Sequence, residues 1–150
     1  MNFRVTAVFG ESPLLGIDRH FTAAVLLATL PALVDAVIPR PRRATLVLGG
    51  TADGLLPYDD FSVPLFEALP SPTYLVKVVG GTHSGFTDVD DSLGTAELER
   101  QQAIVQRYVT ALFERALAGR AASARYLTPA DAQQFGDDLA LTARRHDPAR

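Results

Sequence analysis

Apolar positions along the chain form runs that are separated by polar or glycine-rich breaks. The first run, Phe3 to Phe9, is rich in β-branched and aromatic residues and stops at Gly10, a pattern that predicts a strand. The second run, Phe21 to Ile38, follows a candidate N-cap at Asp18 and predicts a helix. Because proline is tolerated poorly inside a helix, we expect a kink at Pro31 or two short helices that meet there.

Two further apolar runs each end in a pair of glycines. Ala44 to Leu48 precedes Gly49-Gly50, and Tyr74 to Val79 precedes Gly80-Gly81. The segment between them, from about Asp60 to Leu69, has the character of a short helix. The pattern predicts a strand–helix–strand unit whose two strands are parallel and close together.

A long amphipathic helix is predicted from Thr95, a candidate N-cap, to Gly119, a candidate C-cap. Its apolar stripe recurs at helical spacing and comprises Val105, Tyr108, Val109, Leu112, Phe113 and Ala116. For Arg120 to Arg150 we expect a short docked segment or helix that is followed by a frayed tail.

The predicted order is strand, helix, strand, helix, strand, helix, which indicates an α/β protein with three parallel strands and covering helices. At 150 residues the chain is about one domain long. We assign residues 1–119 to this domain and residues 120–150 to a partly frayed C-terminal extension.

Two residues that can carry chemistry follow the paired glycines. Asp53 comes after the third predicted element and His83 after the fifth. In parallel sheets such groups collect at the carboxyl ends of the strands, so we expect the two side chains to meet. A carboxylate beside an imidazole fixes its tautomer, and histidine exchanges its proton near neutral pH, so the pair predicts an acid–base site.

The segments Leu46 to Pro57 and Val79 to Asp88 resemble the acid and histidine loops of α/β-hydrolases. The resemblance is closest to the branch of dienelactone hydrolases, platelet-activating-factor acetylhydrolases and polyester hydrolases, and it covers roughly Phe3 to Gly119. It implies a partial α/β-hydrolase fold in which Asp53 orients the histidine and His83 is the general base. It also implies an esterase or lipase-like activity on carboxylic esters.

That family places its nucleophile in a Gly-x-Ser-x-Gly turn, and this chain departs from the pattern. Gly10-Glu11-Ser12-Pro13-Leu14 has the first glycine and the serine, but Leu14 replaces the second glycine. Pro13 also lacks the backbone N–H that the family offers to the oxyanion. Between Ser12 and the acid-bearing strand, Ala44 to Leu48, we expect one helix and no further strand, so that Phe3 to Phe9 is the strand before the acid-bearing one. The catalytic residues predicted in this chain are therefore Asp53 and His83 alone.

Composition and charge narrow the kinds of protein that the chain can be. Hydrophobic residues make up 47% of the chain and charged residues 21%, which is typical of a globular protein. The net charge of −3, with both signs mixed, argues against a nucleic-acid partner. With no cysteine, signal peptide or membrane span evident, we expect a cytoplasmic protein by default. No cofactor or metal is predicted: an acidic loop (Asp88, Asp90, Asp91) suits solvent better than a cation, and two histidines (His20, His146) lack partners.

Three hypotheses remain open. The chain is the C-terminal portion of a serine hydrolase, incomplete as given, whose small ester substrate binds once an N-terminal half completes the site. Alternatively, it is a small hydrolase that uses Ser12. The third hypothesis is a non-catalytic remnant that binds a partner or forms a homo-oligomer through an open edge at Phe3 to Phe9.

Overall fold

The computed structural model describes residues 7–9, 23–29, 44–87 and 95–145. These residues form a five-stranded sheet in the order β1-β2-β3-β4-β5. The first four strands are parallel, and the last is antiparallel to its neighbour. The strands are β1 (Ala7–Phe9), β2 (Ala23–Leu27), β3 (Ala44–Gly50), β4 (Thr73–Val78) and β5 (Leu139–Arg144).

Helical elements connect and cover the strands. A π-helical segment, Tyr58–Ser62, continues into helix α1 (Val63–Ala68), and the long helix α2 spans Thr95–Ala116. Three 3-10 segments and one further short helix complete the described part: Ser84–Phe86, Ala121–Tyr126, Gln133–Asp138 and helix α3 (Pro129–Ala132). The protein is therefore mixed α/β, with a mostly parallel sheet.

Both faces of the sheet are buried, as a parallel sheet requires. On one face, alternate residues of β2 to β5 pack against the apolar stripe of α2, where Ile104, Tyr108 and Leu112 are fully buried. On the other face, Leu26, Val47 and Leu75 pack against the π-helical segment and α1. The central strands are consequently apolar at nearly every position.

The predicted strand–helix–strand unit is present in the structure. Strands β3 and β4 pair in parallel register, with Gly50 opposite Val78. The short helix between them begins two residues earlier than predicted, at Tyr58. Gly119 follows α2 at φ +66°, a left-handed conformation that suits glycine at a helix end.

The helix predicted from Phe21 to Ile38 is wrong at its start, because residues 23–27 form strand β2. The segment Ala23-Ala24-Val25-Leu26-Leu27 is continuously apolar, and such a run suits a buried parallel strand as well as a buried helix. Residues 30–38, with the expected break at Pro31, lie outside the described residues.

Strand β2 also corrects two further predictions. It lies between β1 and β3, so the Phe3 to Phe9 strand is not the neighbour of the acid-bearing strand. A strand therefore does intervene between Ser12 and Asp53 in the chain. The sheet contains four parallel strands, where three were predicted.

The C-terminal segment is more ordered than predicted. Residues 121–138 form short helical turns, and Leu139–Arg144 forms β5 where a frayed tail was expected. In β5 the buried Leu139 and Leu141 alternate with the exposed Ala140 and Thr142, which is the period of a strand with one face on the core. The Arg144 guanidinium donates to the carbonyls of Phe66 and Glu67 and thereby ties β5 to the end of α1.

Candidate active site

The loops that follow β3 and β4 are joined by backbone hydrogen bonds. The N–H of Thr51 donates to the carbonyl of Val78 at 3.0 Å, and the N–H of Ala52 donates to that of Gly81 at 2.9 Å. The Thr51 hydroxyl in turn accepts from the N–H of Gly80 at 2.9 Å. These bonds continue the parallel pairing beyond the strand ends and hold the two loops at a fixed spacing.

Glycine is required where the loops cross. A Cβ at Gly50 would collide with the backbone carbonyl of Gly81, so a larger residue would push the loops apart. Gly80 has φ +73°, in the left-handed region that suits glycine at this turn. The paired glycines that marked the ends of the apolar runs thus let the two backbones approach closely.

The Asp53 carboxylate is buried and fully engaged in hydrogen bonds. The residue is 3% exposed. Its Oδ1 accepts from the backbone N–H groups of Leu55 at 2.9 Å and Leu56 at 2.7 Å. Its Oδ2 lies 2.9 Å from Nδ1 of His83. Donors on both oxygens fix the orientation of the carboxylate.

His83 lies at the start of the 3-10 segment Ser84–Phe86, with its ring against Asp53. The structure thus brings together the two residues that were predicted to meet. The imidazole is 28% exposed, whereas the carboxylate that it contacts is fully covered. Within residues 7–9, 23–29, 44–87 and 95–145, no group hydrogen-bonds to the Nε2 of His83.

This arrangement has a definite chemical consequence. A carboxylate that accepts a hydrogen bond from Nδ1 of a histidine favours the tautomer with the proton on Nδ1 and the lone pair on Nε2. That lone pair is on the nitrogen that is free to meet solvent or another reactant. The carboxylate also stabilises the imidazolium that forms when Nε2 takes up a proton. The pair can therefore act as an oriented general base.

One residue that supports the site was not predicted from the sequence. Gln101 of α2 is 2% exposed, and its amide makes two hydrogen bonds to the backbone of Thr82, the residue before the histidine. Its position offered one signal. Gln101 precedes Ile104 and Tyr108 by three and seven residues, so it is a polar residue on the buried face of a helix.

Tyr58 packs beneath the acid loop, against Gly49. Burial, and then the neighbouring charge of Asp59, raise the pKa of Tyr58 to about 12, so its phenol is neutral at physiological pH. The ammonium of Lys77 lies 5.3 Å from the centre of its ring. Leu55, next to Asp53 in the acid loop, is 70% exposed.

Other candidate residues from the sequence lie outside the described residues: Ser12, His20, Asp88, Asp90, Asp91 and His146. In the part of the chain that the structure describes, no cluster of three or more histidine or acidic side chains could hold a metal ion. No helix in that part is long and apolar enough to cross a membrane.

Comparison with known proteins adds no family to this geometry. No family model matches the chain, and no curated protein matches it.

Proposed function

We propose that this chain supplies the acid and the base of a serine hydrolase that acts on carboxylic esters. The single observation that carries the proposal is the contact between a buried carboxylate and an imidazole whose Nε2 has no hydrogen-bond partner in the described part of the chain. Both residues follow parallel strands, at the edge where α/β proteins place their reactive groups. The resemblance of the two loops to those of α/β-hydrolases supports the same assignment.

In the proposed reaction His83 takes the proton of a serine hydroxyl on Nε2 while the serine oxygen attacks the ester carbonyl. The imidazolium then returns that proton to the departing alcohol, which leaves an acyl-serine for water to hydrolyse. Asp53 remains ionised and holds the ring in place throughout. Backbone N–H groups that stabilise the oxyanion would come from residues near the nucleophile.

The main form of the proposal places the nucleophile in an N-terminal half that this chain does not contain. One observation favours the alternative that Ser12 is the nucleophile. Strand β2 lies between β1 and the acid-bearing strand β3. The interval from Ser12 to Asp53 therefore contains one strand besides the acid-bearing one, as the family's order of strands requires. The missing second glycine and the proline at position 13 weigh against Ser12.

Two measurements test the proposal. Long-range ¹H–¹⁵N NMR of the purified chain should find the neutral His83 protonated on Nδ1, and protonation on Nε2 would contradict a base role. Labelling with a fluorophosphonate, followed by peptide mapping, then locates the nucleophile. A stoichiometric adduct on Ser12 that is lost in His83→Ala would support the alternative, whereas a folded chain without an adduct would support a nucleophile outside it.

A second candidate function is self-association without catalysis. Among the described strands β1 ends the sheet, with β2 on one side and no described strand on the other. Unpaired strand edges favour pairing with another chain. Sedimentation should then show a dimer that a proline within residues 7–9 disrupts, and a monomer at all concentrations would exclude it. A cytoplasmic location stays a prediction.

A further inference from the structure

Both the oxygen and the nitrogen of the Gln101 side-chain amide form hydrogen bonds with the histidine loop. Its Oε1 accepts from the N–H of Thr82 at 3.2 Å, and its Nε2 donates to the carbonyl of Thr82 at 3.0 Å. The amide thus pairs with a loop residue as a neighbouring strand would. Because buried polar groups must be paired, this two-bond contact accounts for a buried glutamine on an otherwise apolar helix face.

The contact sits directly before His83. With both backbone groups of Thr82 held, the chain enters the 3-10 segment at one orientation, and His83 has φ −59° and ψ −53°. The N–H of Gly85 also donates to the Thr82 hydroxyl at 3.1 Å. A Cβ at position 85 would collide with the amide of Gln101, so a larger residue there would displace that side chain from the loop.

The opposite side of the same loop is held by the acid loop. Gly81 accepts a hydrogen bond from Ala52, while Thr82 is held by Gln101. The acid itself is fixed separately, through the N–H groups of Leu55 and Leu56. The histidine loop is therefore held both by the acid loop and by α2, and the contact between Asp53 and His83 depends on both.

We propose that Gln101 is a positioning residue that holds the imidazole of His83 against Asp53. Helix α2 thereby contributes to the site through the backbone of the histidine loop. The inference rests on the proposed function, in which the Asp53–His83 contact sets the reactive tautomer. Loss of the Gln101 amide should loosen the contact between Asp53 and His83 without removing either reactive side chain.

The test uses the full 150-residue chain and NMR of the His83 ring. Gln101→Met keeps the length of the side chain and removes both hydrogen bonds, and Gln101→Glu keeps only the acceptor. Gln102→Met is the matched control, because Gln102 is on the same helix and its amide donates to Thr87, beyond the histidine. Circular dichroism establishes that each variant is folded.

In Gln101→Met we expect the Nδ1 proton of His83 to exchange with water faster, on the order of tenfold, because two hydrogen bonds of the loop are lost. The ring should also become a mixture of tautomers. Gln101→Glu should lie between Gln101→Met and the unsubstituted chain, and Gln102→Met should match the unsubstituted chain.

Unchanged exchange and tautomer in folded Gln101→Met would overturn the inference, and so would an equal effect of Gln102→Met. If Gln101→Met does not fold, Gln101→Glu decides: faster exchange supports the positioning role, and unchanged exchange removes it. These outcomes are distinct from failure of the proposed function, which would appear as Nε2 protonation in the unsubstituted chain itself.

Discussion

Asp53 and Asp131 are both buried carboxylates, at 3% and 4% exposure, and both accept hydrogen bonds on each oxygen. Their partners differ. Asp53 meets the imidazole of His83, which is 28% exposed and is a side chain of the kind that serves as a general base. Asp131 meets Arg107, whose guanidinium is always charged, and the hydroxyl of Tyr108.

The ion pair of Arg107 and Asp131 has a structural role. Arg107 Nε lies 2.9 Å from Oδ2 of Asp131, and the Tyr108 hydroxyl donates to the same oxygen at 3.0 Å. The guanidinium also stacks on the rings of Tyr126 at 4.7 Å and Phe135 at 5.5 Å. These contacts fix the C-terminal segment against α2. No proton can be exchanged there near neutral pH, since the aspartate raises the pKa of Arg107 and burial raises that of Tyr108.

The comparison indicates that burial of a carboxylate does not by itself identify an active site. Both regions satisfy their hydrogen bonds, as buried polar groups must. What distinguishes the Asp53 region is a histidine partner whose Nε2 has no hydrogen-bond partner among the described residues. The two regions should therefore respond in opposite ways to substitution.

The largest effect on stability is expected from Asp131→Ala. It leaves the Arg107 guanidinium unpaired and the buried Tyr108 hydroxyl without its acceptor, so the free energy of unfolding should fall by about 3 kcal/mol. Part of Arg107 is exposed, which keeps the loss below that of a fully buried pair. Urea denaturation measures it, with the exposed Asp137→Ala as control. A loss below about 0.5 kcal/mol, or an altered His83 tautomer, would contradict the structural role.

Asp53→Asn should change the tautomer of His83 strongly and the stability of the fold only slightly. The amide oxygen can still accept from Leu55 and Leu56, so the free energy of unfolding should fall by only about 1 kcal/mol. The amide nitrogen would face Nδ1 of His83 and donate to it, which moves the ring proton to Nε2. Nitrogen-15 NMR measures this change, and Asp59→Asn, an exposed substitution nearby, should leave the tautomer unaltered. A retained Nδ1 proton in Asp53→Asn would remove the distinction between the two carboxylates.

The same contrast explains which features could be predicted from the sequence. Asp53 and His83 follow apolar runs that end in glycine pairs, so their strands, their parallel pairing and their meeting depend on local pattern and one short crossover. Strand β2 escaped prediction because five consecutive apolar residues have no period that separates strand from helix.

Longer-range features were harder to predict. Strand β5 pairs with β4 from more than 60 residues away, although Leu139 and Leu141 carried a period of two. Gln101 binds the backbone of Thr82, and no side-chain pattern in the sequence encodes a backbone partner. Asp131 likewise gains its role only through the packing of the C-terminal segment on α2.

The two regions also each contain a buried tyrosine, and the effect of Tyr58 on stability is confined to alkaline pH. Its pKa is raised from 10.0 to about 12 by burial and by Asp59. The unfolded chain therefore loses this proton first as the pH rises, and stability conferred by Tyr58 falls between about pH 10 and pH 12. The decline should approach about 1.4 kcal/mol per pH unit and should become shallower in Tyr58→Phe. Denaturation across this pH range measures the decline in the free energy of unfolding. Tyr126→Phe is the control, because Tyr126 is only partly buried. An identical decline in both variants would contradict the assignment to Tyr58.

The smallest effect is expected from Glu114, a third carboxylate with hydrogen-bond partners but only partly buried. Hydrogen bonds from the Ser123 hydroxyl, at 2.6 Å, and from Arg120 lower its pKa below the ordinary 4.5. A lowered pKa means that its contribution to stability is present above that ordinary value and is lost as the pH falls through the native value. Glu114→Gln should thus narrow the difference in urea midpoint between pH 7 and pH 3, whereas Glu67→Gln should not. An effect as large as that of Asp131→Ala would show that hydrogen-bond partners matter more than burial, because Glu114 has such partners but its side chain is 31% exposed.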